Sequence, residues 1–333
     1  MPSKLTQAAS SWLKTAAKIG LALGILGWMI NKGFLDRDTF AKLLTPQVGF
    51  FAAGLTFMQI FVNNFRWLAL MRGQGIESNV RQTLPLSFIG MFFNFVMPGG
   101  VGGDVVKGYY LLQDFPQRKF AAAVSIFMDR MMGFFVMIAT AFLALFFNWD
   151  KVSHSKELQS IGYAVTLLFV GFLVFYFLSL STLLQRSFLG KLLFEKLPGG
   201  AKLRTIYDAL HSYRKAPGAL VLSIILSGFN QLFFIAFFYT IARAMGYDSI
   251  PLSVYFFLVP IGTVVQALPI SPDGIGVGQA AFFYLFNLYL GKESQFGPTA
   301  VTCMQMMSLF WGLFGAYFFL QRKKPAQLES NNA

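Results

Sequence analysis

The sequence predicts an all-α polytopic membrane helix bundle, an inverted-topology repeat with three spans and one re-entrant helical hairpin in each half. Three observations predict it. Composition is the first: 56% of the 333 residues are hydrophobic and 12% are charged, with mean hydropathy +0.58. A soluble domain carries about 25% charged residues, so this chain lacks the polar side chains to cover a water-facing surface. The second is a series of apolar segments near the ~20 residues that a helix needs to cross a bilayer. The third is a pair of related glycine blocks, PGGVGGD at 98–104 and PDGIGVGQ at 272–279, each following one apolar segment and opening another.

The first repeat is assigned to 1–147. Lys4, Lys14 and Lys18 precede LALGILGWMI as in a signal peptide. NKGFLDRD follows it where a small-x-small cleavage site would stand, so 14–32 reads as an uncleaved first span. The second span is 48–70. Apolar residues 84–97 run into the first glycine block, which opens the arm 104–113; together, 84–113 form the first hairpin. The third span is 119–147. The second repeat, 148–320, follows the same plan: spans 159–181 and 217–246, a hairpin 253–290 with arms 253–269 and 277–290, and a last span 298–320. Residues 321–333 form a tail.

Loop charge sets the orientation. The formal net charge of +13 falls mostly in short loops, where it meets anionic lipid headgroups rather than nucleic acid. Arg72 and Arg81, Arg118 and Lys119, the basic 182–216 loop and the tail with Arg322, Lys323 and Lys324 belong to the cytoplasm by the positive-inside rule. Both termini are therefore cytoplasmic. Loops 148–158 and 247–252 carry little net charge and belong outside. Segment 84–113 then enters and leaves on the inner side and 253–290 on the outer side, so the glycine tips point at each other from opposite leaflets. Ten ordinary spans are the alternative; arms 104–113 and 277–290 are short for a crossing.

Non-helical backbone at membrane depth must be shielded by protein or line a wet cavity. In NFVMPGGVGGD, which begins at Asn94, Pro98 stops the incoming helix. Gly99, Gly100, Gly102 and Gly103 permit positive φ and close approach. Asp104 is the expected N-cap of the next helix, whose free amides and dipole, with Lys107 one turn on, suit a phosphate. The second block repeats this logic. Pro269 and Pro272 break a helix, Ser271 and Asp273 stand at the tip with Asp273 as cap, Gly274, Gly276 and Gly278 loosen it, and Gln279 replaces the acid with a neutral hydrogen bonder. The plain alternative is a pair of interfacial turns that terminate helices. Neither block has the G-x-G-x-x-G spacing of a dinucleotide site.

Charges inside spans mark function by default. Arg66 lies near the inner end of the second span, where snorkelling beside Trp67 is the structural alternative. Asp129 and Arg130 are adjacent in the third span, so on a helix they point about 100° apart and need separate partners. Asn230, Gln231, Gln266 and Gln305 read as interhelical hydrogen bonders. Residues 201–215 read as an interfacial helix with Leu203, Ile206, Tyr207 and Leu210 on one face. His154 and His211 fall in loops on opposite sides, which disfavours a histidine-based metal or acyl-transfer site. Cys303 makes no disulfide within the chain. No cofactor, metal site or catalytic residue is expected.

Arg66–Trp67, Asn94 through Lys107, Arg130, and Pro269 through Gln279 resemble the lysylphosphatidylglycerol synthase transmembrane-region family, a flippase-like group of integral membrane proteins. The resemblance implies a transporter that moves lipids with phosphate headgroups (phospholipid, aminoacyl-phospholipid or polyprenyl-phosphate) between leaflets of a prokaryotic plasma membrane. Arg66, Lys107, Arg130 and the tip amides would hold the phosphate. This chain departs from the family pattern at Gly133, Gln279 and Lys107, where an acid, Glu and Arg are frequent. No soluble aminoacyl-transferase domain follows, so lipid aminoacylation by this polypeptide alone is not expected. Two other readings stand beside the transporter. One is a glycosyltransferase-like enzyme that uses Asp36 and Asp38 of Leu35-Asp36-Arg37-Asp38 to hold a metal; the other is an accessory subunit partnered with a lipid-modifying synthase.

Overall fold

The computed structural model describes residues 45–97, 102–192, 194 and 200–322. The predicted span 14–32, the acidic pair Asp36 and Asp38, the tip residues Pro98, Gly99 and Gly100, and the end of the tail lie outside them. The described residues form helices and connecting turns, with no strand among them.

Among the described residues, ten longer helices carry the fold. They are α1 Pro46–Gly73, α2 Val80–Val96, α3 Gly102–Asp114, α4 Lys119–Phe147, α5 Lys156–Leu180, α6 Gly200–Ser212, α7 Pro217–Ala244, α8 Leu252–Gln266, α9 Val277–Leu290 and α10 Phe296–Gln321. Local chemistry sets their ends. Pro46 and Pro217 open α1 and α7, where a missing N–H costs nothing. Asn79 and Gln82 close a capping box at α2: Gln82 N–H donates to Asn79 Oδ1 at 3.0 Å and Asn79 N–H to Gln82 Oε1 at 3.3 Å. Met97 is extended, as the residue before a proline prefers, and α2 stops there. Gly291 ends α9 in the left-handed region at φ 68°.

Five of these helices, together with the turn Pro116–Arg118 that leads into α4, are long and apolar enough to cross a membrane: α1, α4, α5, α7 and α10. They coincide with five predicted spans to within a turn, and α4 matches its predicted bounds. Helices α2, α3, α8 and α9, at 17, 13, 15 and 14 residues, fall short of a full crossing. They pack in two pairs, α2 on α3 and α8 on α9. α5 carries a wide uncovered apolar face: Tyr163, Leu167, Val174 and Phe177 are all exposed along it. Apolar surface that large is stable only against lipid or protein.

Packing pairs the two halves. α1 lies along α7, α2 along α10, and α8 along α4. Within each half the short helices pack on each other, α2 on α3 and α8 on α9. The first hairpin closes at glycine: a Cβ on Gly103 would stand 2.0 Å from the Gly90 carbonyl oxygen and 2.6 Å from Asn94 Oδ1. The second half has an aromatic core, with Phe238 stacked on Phe282 at 4.9 Å and Phe286 edge-on to Phe296 at 4.8 Å. The hairpins meet where Phe95 of α2, Ile275 of the second tip and Leu309 of α10 form one buried cluster.

Several local expectations need correction. α3 begins at Gly102, so Asp104 sits in its first turn rather than at the cap. Asp273 does not cap α9 either: it lies in the turn Pro272–Gly274 at φ 47°, and Gly276 holds the cap position. His211 is inside α6 and stacks on Tyr207 rather than lying in a loop. On α6, Tyr207 and Leu210 are buried while Leu203 and Ile206 are exposed.

Candidate functional site

Polar residues recur at helical spacing on the helices that meet at the centre. On α1 they are Gln59, Asn63 and Arg66; on α7, Ser227, Asn230 and Gln231; on α4, Asp129 and Arg130. Gln59, Asn63 and Arg66 share one stretch of helix surface, as do Ser227, Asn230 and Gln231 in part, whereas the adjacent Asp129 and Arg130 diverge by about 100°. Together with both hairpins they enclose two adjoining lobes of about 330 and 300 Å³. Asn63, Asn94, Arg130, Asn230 and Asp273 line both lobes, so the two are one continuous cavity.

The first lobe holds the charge. Arg66 is 7% exposed. Its Nε and Nη2 donate to Asp129 Oδ1 and Oδ2 at 2.8 and 3.2 Å, and its Nη1 to Ser227 Oγ at 3.1 Å. Snorkelling is thereby ruled out, because the guanidinium turns inward. Gly133 makes this fit, since a Cβ there would stand 3.1 Å from Arg66 Nη1. Arg130 donates instead to Asp104 of α3, so the adjacent Asp129 and Arg130 do take separate partners. Lys107 is buried beside them, its Nζ 3.5 Å from the centre of the Trp67 ring. Trp67 is held in turn by a bond from its Nε1 to Ser125 Oγ at 3.2 Å. A desolvated cation over Trp gains about 2 kcal/mol.

Asp273 reaches the cavity from the second hairpin, and its carbonyl oxygen is anchored twice. Gln266 Nε2 donates to it at 3.3 Å and Gln305 Nε2 at 3.0 Å. Gln305 is held in turn by Gln279, whose Nε2 donates to Gln305 Oε1 at 2.8 Å and Thr302 Oγ1 at 3.0 Å. The αL backbone of Asp273, tolerated better by Asp than by most residues, is thus fixed by three amide side chains.

Of the residues expected to form the binding site, seven line the cavity: Arg66, Asn94, Asp104, Lys107, Asp129, Arg130 and Asp273. Gly102, Gly103, Ser271, Gly274, Gly276 and Gln279 do not line it, and Pro269 is exposed. One amide at each described helix start is already taken by a side chain. Gly103 N–H donates to Asn94 Oδ1 at 2.8 Å, and Gly276 N–H to Gln279 Oε1 at 2.7 Å. Side chains satisfy these donors because an orphan amide at this depth has no water to turn to. The charged side chains that line the cavity are Arg66, Asp104, Lys107, Asp129, Arg130 and Asp273.

Interhelical bonding also fails to account for the in-span amides. It accounts for Gln305, but Asn230 Oδ1, Gln231 Nε2 and Gln266 Oε1 have no hydrogen-bond partner among the described residues. Gln59 Nε2 and Asn63 Oδ1 share that state. Gln59 and Asn63 were not singled out beforehand; their i, i+4, i+7 spacing with Arg66 was the available signal.

The family described as lysylphosphatidylglycerol synthase TM region matches the chain over residues 15–315. The chain belongs to this family. Two similar proteins are UPF0104 membrane proteins of methanogenic archaea. That of Methanothermobacter thermautotrophicus is 23% identical over 309 residues, covering 87% of this chain and 89% of its own. That of Methanocaldococcus jannaschii is 25% identical over 236 residues, covering 69% and 93%. No solved structure matches the chain. With its apolar helices, this lysylphosphatidylglycerol synthase TM region protein is a multi-pass membrane protein.

Proposed function

We propose that the protein is a lipid flippase-like transporter. The head group of a phosphate-bearing lipid enters the central cavity while its acyl or prenyl chains stay in the bilayer. One observation carries the reading: side chains from both hairpins, Asp104 and Lys107 on one side and Asp273 on the other, line a single cavity with Arg66 and Arg130. Three cations there face three carboxylates, so an entering phosphate competes with Asp104 and Asp129 for the arginines. Lys107, over Trp67, has no ion pair among the described residues and is the first cation open to it. Exchange of these pairs gives the two halves a reason to move when the head group binds.

Paired packing supports an inverted duplication. Contacts of α2 with α10 and of α8 with α4 are counterparts under an exchange of halves, and α1 with α7 is its own counterpart. The helix ends agree. Arg322 beyond α10 pairs with Asp114 and stacks on Tyr110 of α3; Asn148 beyond α4 accepts from Tyr289 of α9. Such repeats place substrate near the midplane and alternate access by rocking one half against the other. The basic loops favour cytoplasmic termini in a prokaryotic plasma membrane.

The test is translocation in reconstituted vesicles of phosphatidylglycerol fluorescently labelled on its acyl chain. Arg130→Gln and Lys107→Gln should each slow it by about tenfold or more, the loss expected when a charged hydrogen-bonding group is removed (~1.5–3 kcal/mol). Wild-type rates in both variants would remove the site.

A further inference from the structure

A second pocket, sharing no lining residue with the central cavity, lies where α1 ends, α4 begins and α6 passes. Gln74, just beyond α1, ties the three together. Its Nε2 donates to the Ala209 carbonyl oxygen of α6 at 3.1 Å and to Ser212 Oγ at 2.9 Å, and its own carbonyl oxygen accepts from Arg118 Nη1 at 3.2 Å. Gly75 leaves room for that guanidinium, since a Cβ there would stand 2.8 Å from Arg118 Nη1. The pocket holds about 630 Å³, within the ~300–1,000 Å³ of small-ligand sites. Its charge is uncompensated. Arg118 and Lys119 line it with no acidic residue beside them, and neither makes an ion pair among the described residues. Asp114, four residues before Arg118, is drawn away by Arg322, and Asp208, next to Ala209, lies 4.0 Å from Arg204. The central cavity, by contrast, sets three carboxylates against three cations.

We infer that this pocket is a docking site for the phosphate of an anionic phospholipid, separate from the central cavity. Its position favours a lipid. Residues 116–147 are long and apolar enough to cross a membrane, so Lys119 and Phe120 stand at the boundary where head groups lie. Phe120 is exposed there, as are Leu203 and Ile206 of α6, apolar side chains that suit the upper acyl region. Basic pockets between helices at such a boundary hold phospholipid head groups. Arg118 spends one donor on Gln74 and keeps others in a planar fork that fits two phosphate oxygens. Lys119 spends none on the described residues. A head group with a net negative charge offsets these two cations, whereas a zwitterionic lipid brings an ammonium that they repel. Bound there, the lipid braces α6 against the start of α4.

The test puts a bimane label on Gln117→Cys in a Cys303→Ala background of the full chain, in phosphatidylcholine vesicles, and reads its quenching by lipids with a nitroxide on the acyl chain. Nitroxide-labelled phosphatidylglycerol should occupy the pocket about tenfold more tightly than nitroxide-labelled phosphatidylcholine, the preference that two basic residues at a membrane surface give an anionic head group. Lys119→Gln, which loses no bond among the described residues, should cut that preference several-fold, and Arg118→Gln/Lys119→Gln should abolish it. Arg214→Gln/Lys215→Gln removes the same charge from exposed residues outside the pocket and should leave most of it. Inorganic phosphate should relieve the quenching no more than chloride of equal ionic strength does. Equal quenching by the two lipids would overturn the inference. Equal losses in the two double variants would also overturn it, as the attraction would then be diffuse. Relief by inorganic phosphate would do the same by giving the pocket to a soluble anion. No lipid has to cross the membrane in this assay, so failure of transport leaves the docking site standing.

Discussion

Replacing Asp129 with alanine should cost the protein about 3–5 kcal/mol, the range for stranding one partner of a buried ion pair. The geometry sets the size. Asp129 accepts two charge-assisted bonds from Arg66, at 2.8 and 3.2 Å, with side-chain exposures of 9% for Arg66 and 14% for Asp129. Alanine leaves the guanidinium of Arg66, a residue 7% exposed, with a bond to Ser227 Oγ at 3.1 Å. The double variant Arg66→Met/Asp129→Leu removes both charges and should fall within about 1 kcal/mol of wild type, because desolvation of the pair offsets most of its attraction. Equilibrium unfolding in mixed micelles of wild type, both single variants and the double variant closes the cycle. The double variant should also fold without moving lipid, since the proposed phosphate ligand is gone. Loss of less than about 1 kcal/mol in Asp129→Ala would show that Arg66 does not depend on the pair. A double variant as unstable as the single would show that something other than an isolated charge is responsible.

Other expectations follow from the same contacts. Gly103→Ala should destabilise by about 1–3 kcal/mol, because the new Cβ meets the Gly90 carbonyl and the α2–α3 crossing must open. Its control, Gly108→Ala, meets only Ile126 Cδ1 at 3.5 Å and should be neutral or gain up to about 1 kcal/mol, read by the same unfolding measurement. Gln279→Leu should cost about 1–3 kcal/mol by leaving Gly276 N–H unpaired and freeing Gln305; faster hydrogen exchange at residues 272–279 would report it. Orientation is checked with a membrane-impermeant maleimide on intact cells in a Cys303→Ala background: Lys156→Cys should label at once, and Arg204→Cys only after permeabilisation. The reverse order would invert the topology.

Particular residues show where the sequence was legible. α4 and α9 are bounded as their apolar runs and breakers indicate, and Met97 stops α2 because a proline follows. These are local free energies: transfer of side chains into lipid, and backbone terms set by one neighbour. The cap assignments at Asp104 and Asp273 failed because each local preference met a stronger distant partner. Arg130 draws Asp104 into an ion pair, and the Gln266–Gln305 pair holds the carbonyl of Asp273. Asn94 and Gln279 likewise reach back from the same hairpins to take one tip amide each, those of Gly103 and Gly276.

The sequence by itself therefore determined that this is a membrane helix bundle with two broken hairpins and a few charges too costly to leave in lipid. Hydropathy, proline and glycine act over one to five neighbours, and that information is complete in the string. Only the tertiary structure decided that Arg66 meets Asp129, that Arg130 meets Asp104, and that amide residues of α1, α7, α8 and α10 line one lobe. Those choices depend on which faces of distant helices are pressed together, and packing across the whole bundle sets that.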